Sequence, residues 1–366
     1  MSKYIWYSGA TDITGKALAE ALSLTETKTR PRNLRAGDIV IGWGAKTSEA
    51  ISINTNVHVL NHPNKIRANR NKLGALNIMK ADDNLSAAIA MFVASNSVMS
   101  SIDDGTVSLP LVGRTKYHQG GKGFWLCLTK SLVQYAIDNG AEYFQNFIDI
   151  RDEYRLHVAF GKVIYAVKKV PNDSESSWTA QRKEKIMDYA QKNNVEIDEG
   201  TMNYVLKRMF KEAVLPDMIV RSNRRGWKFS NVRLNNVSTA LKNAAIKAVE
   251  VLGLDFGAVD CAIGNNGNPY IIEVNSGPGL QGTALEKYIS AFSTKISDLE
   301  NVAQAQPANQ PVANNQQNAM AAGVGAENAD NAAGAQVGIV AIMNNVKTDE
   351  EAKAVIAALV ANMKNG

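Results

Sequence analysis

Residues 253–280 read GLDFGAVDCAIGNNGNPYIIEVNSGPGL, and this stretch decides the fold. Two apolar runs, 255–263 and 269–275, flank the turn at residues 264–267, which is Gly-Asn-Asn-Gly. Short apolar runs separated by Gly and Asn are typical of antiparallel strands joined by a tight turn. The sequence therefore predicts that the last two strands of the folded body pair as a β-hairpin.

Three oxygen-bearing side chains lie on this predicted hairpin. Residues two apart in a strand share a face, so Glu273 and Asn275 project together, and the turn brings Asp260 opposite them. Such oxygens suit Mg²⁺, which keeps part of its octahedron for water and phosphate. We predict that these three residues bind magnesium. The alternative is an exposed polar hairpin face, which the apolar neighbours and the abrupt Gly-Pro-Gly turn at 277–279 disfavour.

A glycine-rich turn, Gln119-Gly-Gly-Lys-Gly123, lies between two predicted strands and follows Arg114. Closely spaced glycines allow backbone N–H groups to point toward phosphate oxygens. The turn is not a P-loop, because Lys122 is followed by Gly rather than by Ser or Thr. A phosphate-binding loop and a plain hairpin turn are both compatible with this pattern.

Two consecutive predicted strands after residue 150 carry cations. Arg155 and His157 share one face of the first strand, and either Lys168 or Lys169 points the same way from the second. A cation directed inward from a sheet normally requires an anion. A bound phosphate and a structural salt bridge both meet that requirement.

A further polar cluster contains Arg221 and Asn223. Arginine offers a planar fork of donors for phosphate or carboxylate oxygens, and asparagine adds an amide donor. By itself, this cluster would also suit a surface that contacts RNA.

Composition places the chain among ordinary globular proteins. Its 366 residues are 45% hydrophobic and 20% charged, with a net charge of +5 and two cysteines. The basic balance is compatible with nucleic acid or with a polyphosphate ligand. The two cysteines suit a reducing compartment. No apolar run is long enough to span a bilayer, and no cleavable signal pattern is evident. We therefore expect a cytoplasmic protein that does not enter a membrane.

Helices and low-complexity stretches complete the predicted organisation. Alternating strands and helices near the N-terminus predict a small α/β lobe with a parallel sheet. Helices are expected at residues 65–79 and, from the alanine content, at 86–98. Residues 302–336 are dominated by Ala, Asn, Gln and Gly and predict a disordered linker, after which 337–366 regain an apolar, helical pattern.

The metal-ligand pattern, the glycine turn and the two cation clusters, in this order, resemble the ATP-grasp superfamily. Within it, the chain resembles ligases of the ribosomal-protein glutamate-ligase kind and amidoligase-like ATP-grasp proteins of bacteriophages. The stretches 253–280, 142–158 and 220–226 carry the resemblance, which extends from about Asn61 to Leu299.

The resemblance implies an α/β (α+β) fold in which two subdomains clasp ATP. The implied parts are an N-terminal lobe (1–70), a subdomain with the glycine turn (71–145) and a subdomain with the magnesium site and a helical insertion at 175–213 (146–301).

The resemblance also assigns roles to individual residues. Catalytic roles fall to Arg155, Arg221, Asn223 and Lys168. ATP contacts fall to Lys72, Arg114, Gln119, Gly120, Gly121, Lys122, Gly123, Glu142, Gln145, Phe147 and Asp149. Metal contacts fall to Asp260, Glu273 and Asn275. The family usually has Lys where Arg114 stands, so the charge is kept while the geometry differs.

The implied activity is an ADP-forming carboxylate–amine ligase that works through an acyl phosphate. ATP and two Mg²⁺ ions, with Mn²⁺ as a substitute, are the implied cofactors, and the amine belongs to an amino acid, a peptide or a protein terminus. An ATP-grasp kinase and a nucleotide-binding structural protein are the alternatives. A homo-oligomer, a tail that docks a partner, and a location in the host cytoplasm if the protein is phage-encoded are further expectations.

Overall fold

The structure is a computed structural model that describes residues 1–9, 12–118, 123–171, 191, 221 and 227–305. Met1–Trp178 with Arg208–Gln304 form one compact unit, which is the first of two in the chain. All the sheets and contacts below lie in the first unit. The predicted insertion and terminal helical element, and the linker beyond residue 305, lie outside the described residues.

The first sheet is parallel, as the sequence predicts for the N-terminal lobe. Its strand order is β2-β1-β3-β4. All five residues of the central strand β3 are buried, which explains its continuous apolar sequence. The elements are β1 Lys3–Tyr7, α1 Ile13–Ala21, β2 Thr25–Thr27, β3 Ile39–Trp43 and β4 His58–Leu60.

The second sheet is antiparallel, with the strand order β5-β8-β6-β7. Two short helices lead into it from the first sheet, and a third packs beside β7. The elements are α2 Pro63–Arg70, α3 Lys72–Lys80, β5 Phe92–Ala94, α4 Val98–Asp103, β6 Leu111–Arg114, β7 Phe124–Cys127, α5 Lys130–Asp138 and β8 Tyr143–Asn146.

The third sheet is antiparallel, with the order β11-β10-β9-β12-β13. One face packs on helix α6, where Leu156, Val259 and Leu241 share a buried core. The opposite face is therefore free to carry the polar side chains. The elements are β9 Ile150–Ala159, β10 Lys162–Pro171, β11 Trp227–Asn231, α6 Thr239–Val251, β12 Phe256–Gly264, β13 Pro269–Asn275 and α7 Thr283–Ala305.

An aromatic cluster joins the first sheet to the third. Trp43 at the end of β3 stacks on Phe256 of β12, with ring centroids 5.5 Å apart. Tyr288 and Phe292 of α7 meet Trp43 edge-on. Because these rings are fully buried, the N-terminal lobe and the third sheet share one core.

Three expectations about helices are wrong. The helix predicted at 65–79 is two helices, because Asn71 leaves the helical conformation and its side chain accepts from the Gly74 amide to begin α3. The helix predicted at 86–98 contains strand β5, because its residues pair with β8 and tertiary pairing outweighs the alanine content. Helix α7 continues to Ala305, beyond the predicted start of the linker.

No helix in the part of the chain that the structure describes combines the length and the hydropathy needed to cross a membrane.

Candidate active site

The predicted metal ligands lie on neighbouring strands of the third sheet. Asp260 on β12 is directly opposite Glu273 on β13, as the hairpin predicts. On its other side, Asp260 is opposite Arg155 on β9. Asn275 is opposite Ala258, two residues from Asp260. Because cross-strand partners point to the same face, these four polar side chains share one side of the sheet.

Asp260 and Arg155 form a bidentate ion pair, in which Asp260 is buried and Arg155 is partly buried. Arg155 Nε lies 2.7 Å from Oδ1, and Nη2 lies 2.8 Å from Oδ2. Burial alone would raise the pKa of Asp260, but Arg155 outweighs it and holds the pKa below its usual value. Burial alone would lower the pKa of Arg155, but Asp260 raises it. Both groups are therefore charged at neutral pH.

Glu273 faces a cation from another element. Lys72 Nζ lies 3.7 Å from Glu273 Oε2, and Lys72 is the first residue of α3. The Lys72 amide also donates to the carbonyl of Lys116 over 2.9 Å, which ties α3 to the segment after β6. The separation of 3.7 Å leaves the Glu273 oxygens outside hydrogen-bond distance of this ammonium. Asn275 accepts from the Gly277 amide through Oδ1 at 3.1 Å.

Arg114 ends β6 with an incompletely satisfied guanidinium. Its Nη2 lies 2.8 Å from the His118 ring nitrogens, and its Nε has no hydrogen-bond partner among the described residues. Burial lowers the pKa of Arg114, while Tyr143 and Glu273 oppose that shift. Burial, Arg114 and Lys72 lower the pKa of His118 to about 3, so its imidazole is neutral. A buried donor without a partner fits an anionic ligand.

A second charged network lies next to the first, around Glu153, which is two residues from Arg155 on β9. Glu153 pairs with Lys169, and Arg221 Nε lies 4.0 Å from Glu153 Oε2. Arg221 also donates to the Ile150 carbonyl over 2.7 Å and covers the Trp227 ring at 4.8 Å. Burial lowers the pKa of Arg221, and Glu153 opposes this shift.

Lys168, which was predicted for the site, does not lie on the sheet face that carries Arg155 and Asp260. Its Nζ lies 2.6 Å from Asp152 Oδ1, whereas Lys169 pairs with Glu153. Neighbouring residues in a strand point to opposite faces. Lys169 therefore shares the face of Arg155, and Lys168 points away from it.

Phe229 was missed in the sequence. The Arg155 guanidinium lies 5.0 Å from its ring centroid, and Lys169 Nζ lies 5.9 Å away. The residue is 46% exposed, so one aromatic ring borders two site cations and solvent together. The register of β11 against β10, which places Phe229 opposite Lys169, is the feature that reveals it.

Four residues that were expected to contact ATP lie on β8 or on either side of it, where the chain passes from the second sheet to the third. The Glu142 carboxylate accepts from the Lys116 amide over 2.7 Å. Gln145 is half-buried on β8. The Phe147 N–H donates to the Pro110 carbonyl over 3.0 Å, so that donor is already used within the protein. Asp149 is exposed and accepts from the Asn265 amide group over 2.6 Å.

Five predicted site residues lie outside the described part of the chain, namely Gln119, Gly120, Gly121, Lys122 and Asn223. Gly123 is described and has a positive φ of 58°. A Cβ there would lie 2.5 Å from Thr115 Oγ1, so glycine is required at this position.

The residues present fit a magnesium ion that binds together with phosphate. Among the described residues, no group of three or more His, Cys, Asp or Glu side chains could hold a metal. The predicted set has two carboxylates and one amide, all hard oxygen donors. Mg²⁺ uses few protein ligands and completes its shell with water and substrate phosphates. Asp260, Glu273 and Asn275 would hold such an ion.

The architecture is that of the ATP-grasp proteins. The ATP-grasp ligase PsnB complexed with a minimal precursor matches at a TM-score of 0.50 and 12% identity, covering 82% of this chain and 99% of that one. D-alanine–D-alanine ligase from Bacillus anthracis complexed with ATP matches at 0.50 and 11%, covering 83% and 98%. At these identities the likeness concerns the fold alone. The fold expected from the sequence is confirmed.

Sequence comparison finds a similarity to one kind of ATP-grasp domain. Residues 219–297 match the family model described as a RimK-like ATP-grasp domain. A probable alpha-L-glutamate ligase 1 of Shewanella oneidensis is 31% identical over 128 residues, which is 30% of this chain and 42% of the relative. A probable alpha-L-glutamate ligase 2 of Shewanella baltica is 31% identical over 109 residues, 27% and 36%. The chain thus spans less than half the length of these relatives, and the expected resemblance to ATP-grasp ligases is confirmed.

Proposed function

We propose that the protein is an ATP-dependent carboxylate–amine ligase that releases ADP. One observation carries the proposal: on one sheet face the two neighbouring carboxylates Asp260 and Glu273 lie between two cations, Arg155 on β9 and Lys72 on helix α3. The cations match phosphate oxygens and the carboxylates match the metal that accompanies them. The matched RimK-like domain and the glutamate-ligase relatives support this reading.

Magnesium held by Asp260, Glu273 and Asn275 would neutralise charge on the ATP phosphates. Lys72 and Arg114 stand on the side of the second sheet and would bind the inner phosphates. In this proposal the transferred phosphoryl group would lie between these two cations and Arg155.

Arg155, Lys169 and Arg221 would stabilise the transferred phosphoryl group. Charge builds on its oxygens as the bond to ADP breaks, and fixed cations in a site with little water stabilise that charge. Each of the three is already held by an acidic partner, Asp260 or Glu153. Their orientation therefore does not have to be established during the reaction.

The proposed chemistry needs no nucleophile from the protein. A substrate carboxylate oxygen attacks the γ-phosphorus of ATP, and ADP leaves, which gives an acyl phosphate. An amine then attacks the acyl carbon, phosphate leaves with the bonding electrons, and the amine loses a proton. The product is an amide. Water must be excluded from the acyl phosphate, and the glycine turn at 119–123 is the proposed cover.

An amino acid or a peptide is the proposed substrate class. The relatives are probable alpha-L-glutamate ligases, and the ligase PsnB was solved in complex with a minimal precursor. The kinase alternative, in which a hydroxyl accepts the phosphoryl group, predicts ADP release that does not need an amine.

The first experiment measures magnesium-dependent ADP release with pooled amino acids and peptides, with each pool present or absent. We expect ADP release to need both a carboxylate and an amine, Mn²⁺ to replace Mg²⁺, and Glu273→Ala to abolish the reaction. Glu250→Ala is the matched control, because Glu250 is a carboxylate on α6, on the other face of the sheet. ADP release that is independent of amine, with a phosphorylated hydroxyl product, would replace the ligase with the kinase.

A further inference from the structure

Strands β9 and β10 carry two neighbouring ion pairs on opposite faces. Asp152 pairs with Lys168 on one face, and Glu153 pairs with Lys169 on the other. The two carboxylates differ in their surroundings. The Asp152 side chain is 21% exposed, whereas that of Glu153 is 7% exposed. The two strands therefore carry a more exposed ion pair and a more buried ion pair of almost the same chemistry.

Each carboxylate has a second cation, and the two cations differ in burial. Arg151 Nε lies 3.0 Å from Asp152 Oδ2, and the Arg151 side chain is 54% exposed. Arg221 Nε lies 4.0 Å from Glu153 Oε2, and the Arg221 side chain is only 7% exposed. Glu153 Oε1 meets Lys169, so the two oxygens of one carboxylate serve two cations. Burial raises the pKa of Glu153, and Lys169 and Arg221 oppose this. Burial alone disfavours the charged form of Glu153, and the two neighbouring cations favour it.

We propose that Glu153 is a positioning residue that fixes the separation of Lys169 and Arg221 for the oxygens of the transferred phosphoryl group. This inference rests on the proposed function, since it takes both cations to act on that group. Glu153 itself contacts neither substrate.

The physical reason is that Lys169 and Arg221 repel each other, although both must lie close to the same phosphoryl group. Two buried cations repel each other, and an ammonium on a four-carbon stem has many rotamers. A carboxylate between them removes the repulsion and restricts both side chains. Small errors in placement are costly, since a shift of about 1 Å in a positioned group can lower a rate on the order of 100-fold.

The test is a double-mutant cycle of Glu153→Gln and Lys169→Met in the full chain. Three quantities are measured: kcat/KM for ATP in magnesium-dependent ADP release, and the affinities for AMP-PNP and for ADP by calorimetry. We expect each single variant to lose about 10-fold or more in kcat/KM, and the double variant to lose clearly less than the product of the two losses, because only the effect of Glu153 on Arg221 remains once Lys169 is absent. Affinity for ADP, which lacks the γ-phosphate, should remain within about 2-fold of wild type in both.

Asp152→Asn is the matched control because it removes a neighbouring carboxylate from the other face. Its own loss should be below about 3-fold, and its combination with Lys169→Met should be additive. Thermal denaturation accompanies every variant. If Glu153→Gln does not fold, Glu153→Asp replaces it. The aspartate keeps the negative charge but shortens the side chain by one methylene group, so this variant should also lower kcat/KM.

Two outcomes separate the inference from the proposed function. Losses that multiply in the Glu153 cycle, or an equal loss in Asp152→Asn, would overturn the positioning role and leave the ligase intact. Coupled effects on AMP-PNP affinity in a protein that forms no amide would overturn the ligase and retain Glu153 as a residue that positions cations for the γ-phosphate.

Discussion

Lys168 and Lys169 carry the same charge one residue apart, and the pleat of β10 sends them to opposite faces. The ion pair of Lys168 with Asp152 lies on the face that packs on α6, and that of Lys169 with Glu153 lies on the face of Arg155. From the sequence, Lys168 was chosen for the site. The structure indicates Lys169, because only the pairing of β9 with β10 reveals which acid each lysine meets.

The two lysines give a matched test at the residue scale. We expect Lys169→Met to lower kcat/KM for ATP on the order of 100-fold, as loss of a charge-stabilising donor typically does. Lys168→Met should change it by less than about 3-fold, since an exposed ion pair contributes little. Steady-state ADP release measures both. The reverse order would place the site on the other face of β10.

His157 gives a pH-dependent prediction. Burial and the nearby Arg155 lower its pKa to about 4, and the residue is only 4% exposed. The unfolded chain therefore binds a proton between pH 6.5 and 4 that the folded chain does not, and stability falls as pH falls through this window. Between pH 7 and pH 5 the loss from this group is about 2 kcal/mol.

The measurement is the free energy of unfolding by urea at pH 7 and pH 5, for wild type and for His157→Leu. Carboxylates with shifted pKa values titrate in both proteins and cancel in the comparison. The variant should lose less stability than wild type on acidification. Equal losses in the two proteins would show that His157 is not held neutral by the fold.

At the scale of elements, the turn after β13 fits closely against the end of β3. A Cβ on Gly277 would lie 2.7 Å from the Gly44 amide nitrogen and 2.8 Å from its Cα, and both are backbone atoms that cannot rotate away. The Gly44 amide also donates to the Ser276 carbonyl over 3.3 Å. The loop that follows the metal ligands is thus seated on the first sheet.

We expect Gly277→Ala to destabilise the protein by about 1–3 kcal/mol, as overpacking does. Gly279→Ala is the control two residues away, because a Cβ there meets no atom within 4 Å. Thermal denaturation of both variants measures the difference. Equal melting temperatures would mean that the loop moves away from Gly44 at little cost.

The hairpin of β12 and β13 was predictable because its causes are local. The Gly-Asn-Asn-Gly turn joins the two strands, and period-two alternation predicts their faces. A register shift between Asp260 and Cys261 then brings Asp260 opposite Glu273. Strand β5 was not predictable from the sequence, because its Ala-rich flanks favour a helix. Only the pairing with β8 makes Phe92–Ala94 extended. Local signals were sufficient where the partner is near in sequence and insufficient where it is distant.

At the scale of the whole molecule, the nucleotide is expected to stabilise the fold. Lys72 comes from α3, Arg114 from the second sheet, and Arg155 and Asp260 from the third, so a ligand that contacts all of them links separate elements. With AMP-PNP and Mg²⁺ at 100 times the dissociation constant, unfolding should cost about 2.7 kcal/mol more.

This stabilisation is measured as the rise in melting temperature on adding AMP-PNP with and without Mg²⁺. Glu273→Gln should lose the magnesium-dependent part of the rise, because an amide is a weaker ligand than a carboxylate for a hard cation. Glu250→Gln should keep it. A rise that does not depend on magnesium in wild type would contradict the assignment of the metal ligands.

The sequence by itself determined the ATP-grasp resemblance, the final hairpin, the placement of Asp260 opposite Glu273, and the parallel N-terminal sheet. These follow from turn chemistry, strand periodicity and the spacing of polar residues along one short segment. Only the tertiary structure decided that Arg155 holds Asp260, that Lys169 rather than Lys168 faces the site, and that Glu153 meets Arg221. The reason is physical: each of these contacts joins strands that are distant in sequence or depends on which face a strand buries, and packing of the sheet on α6 fixes that choice.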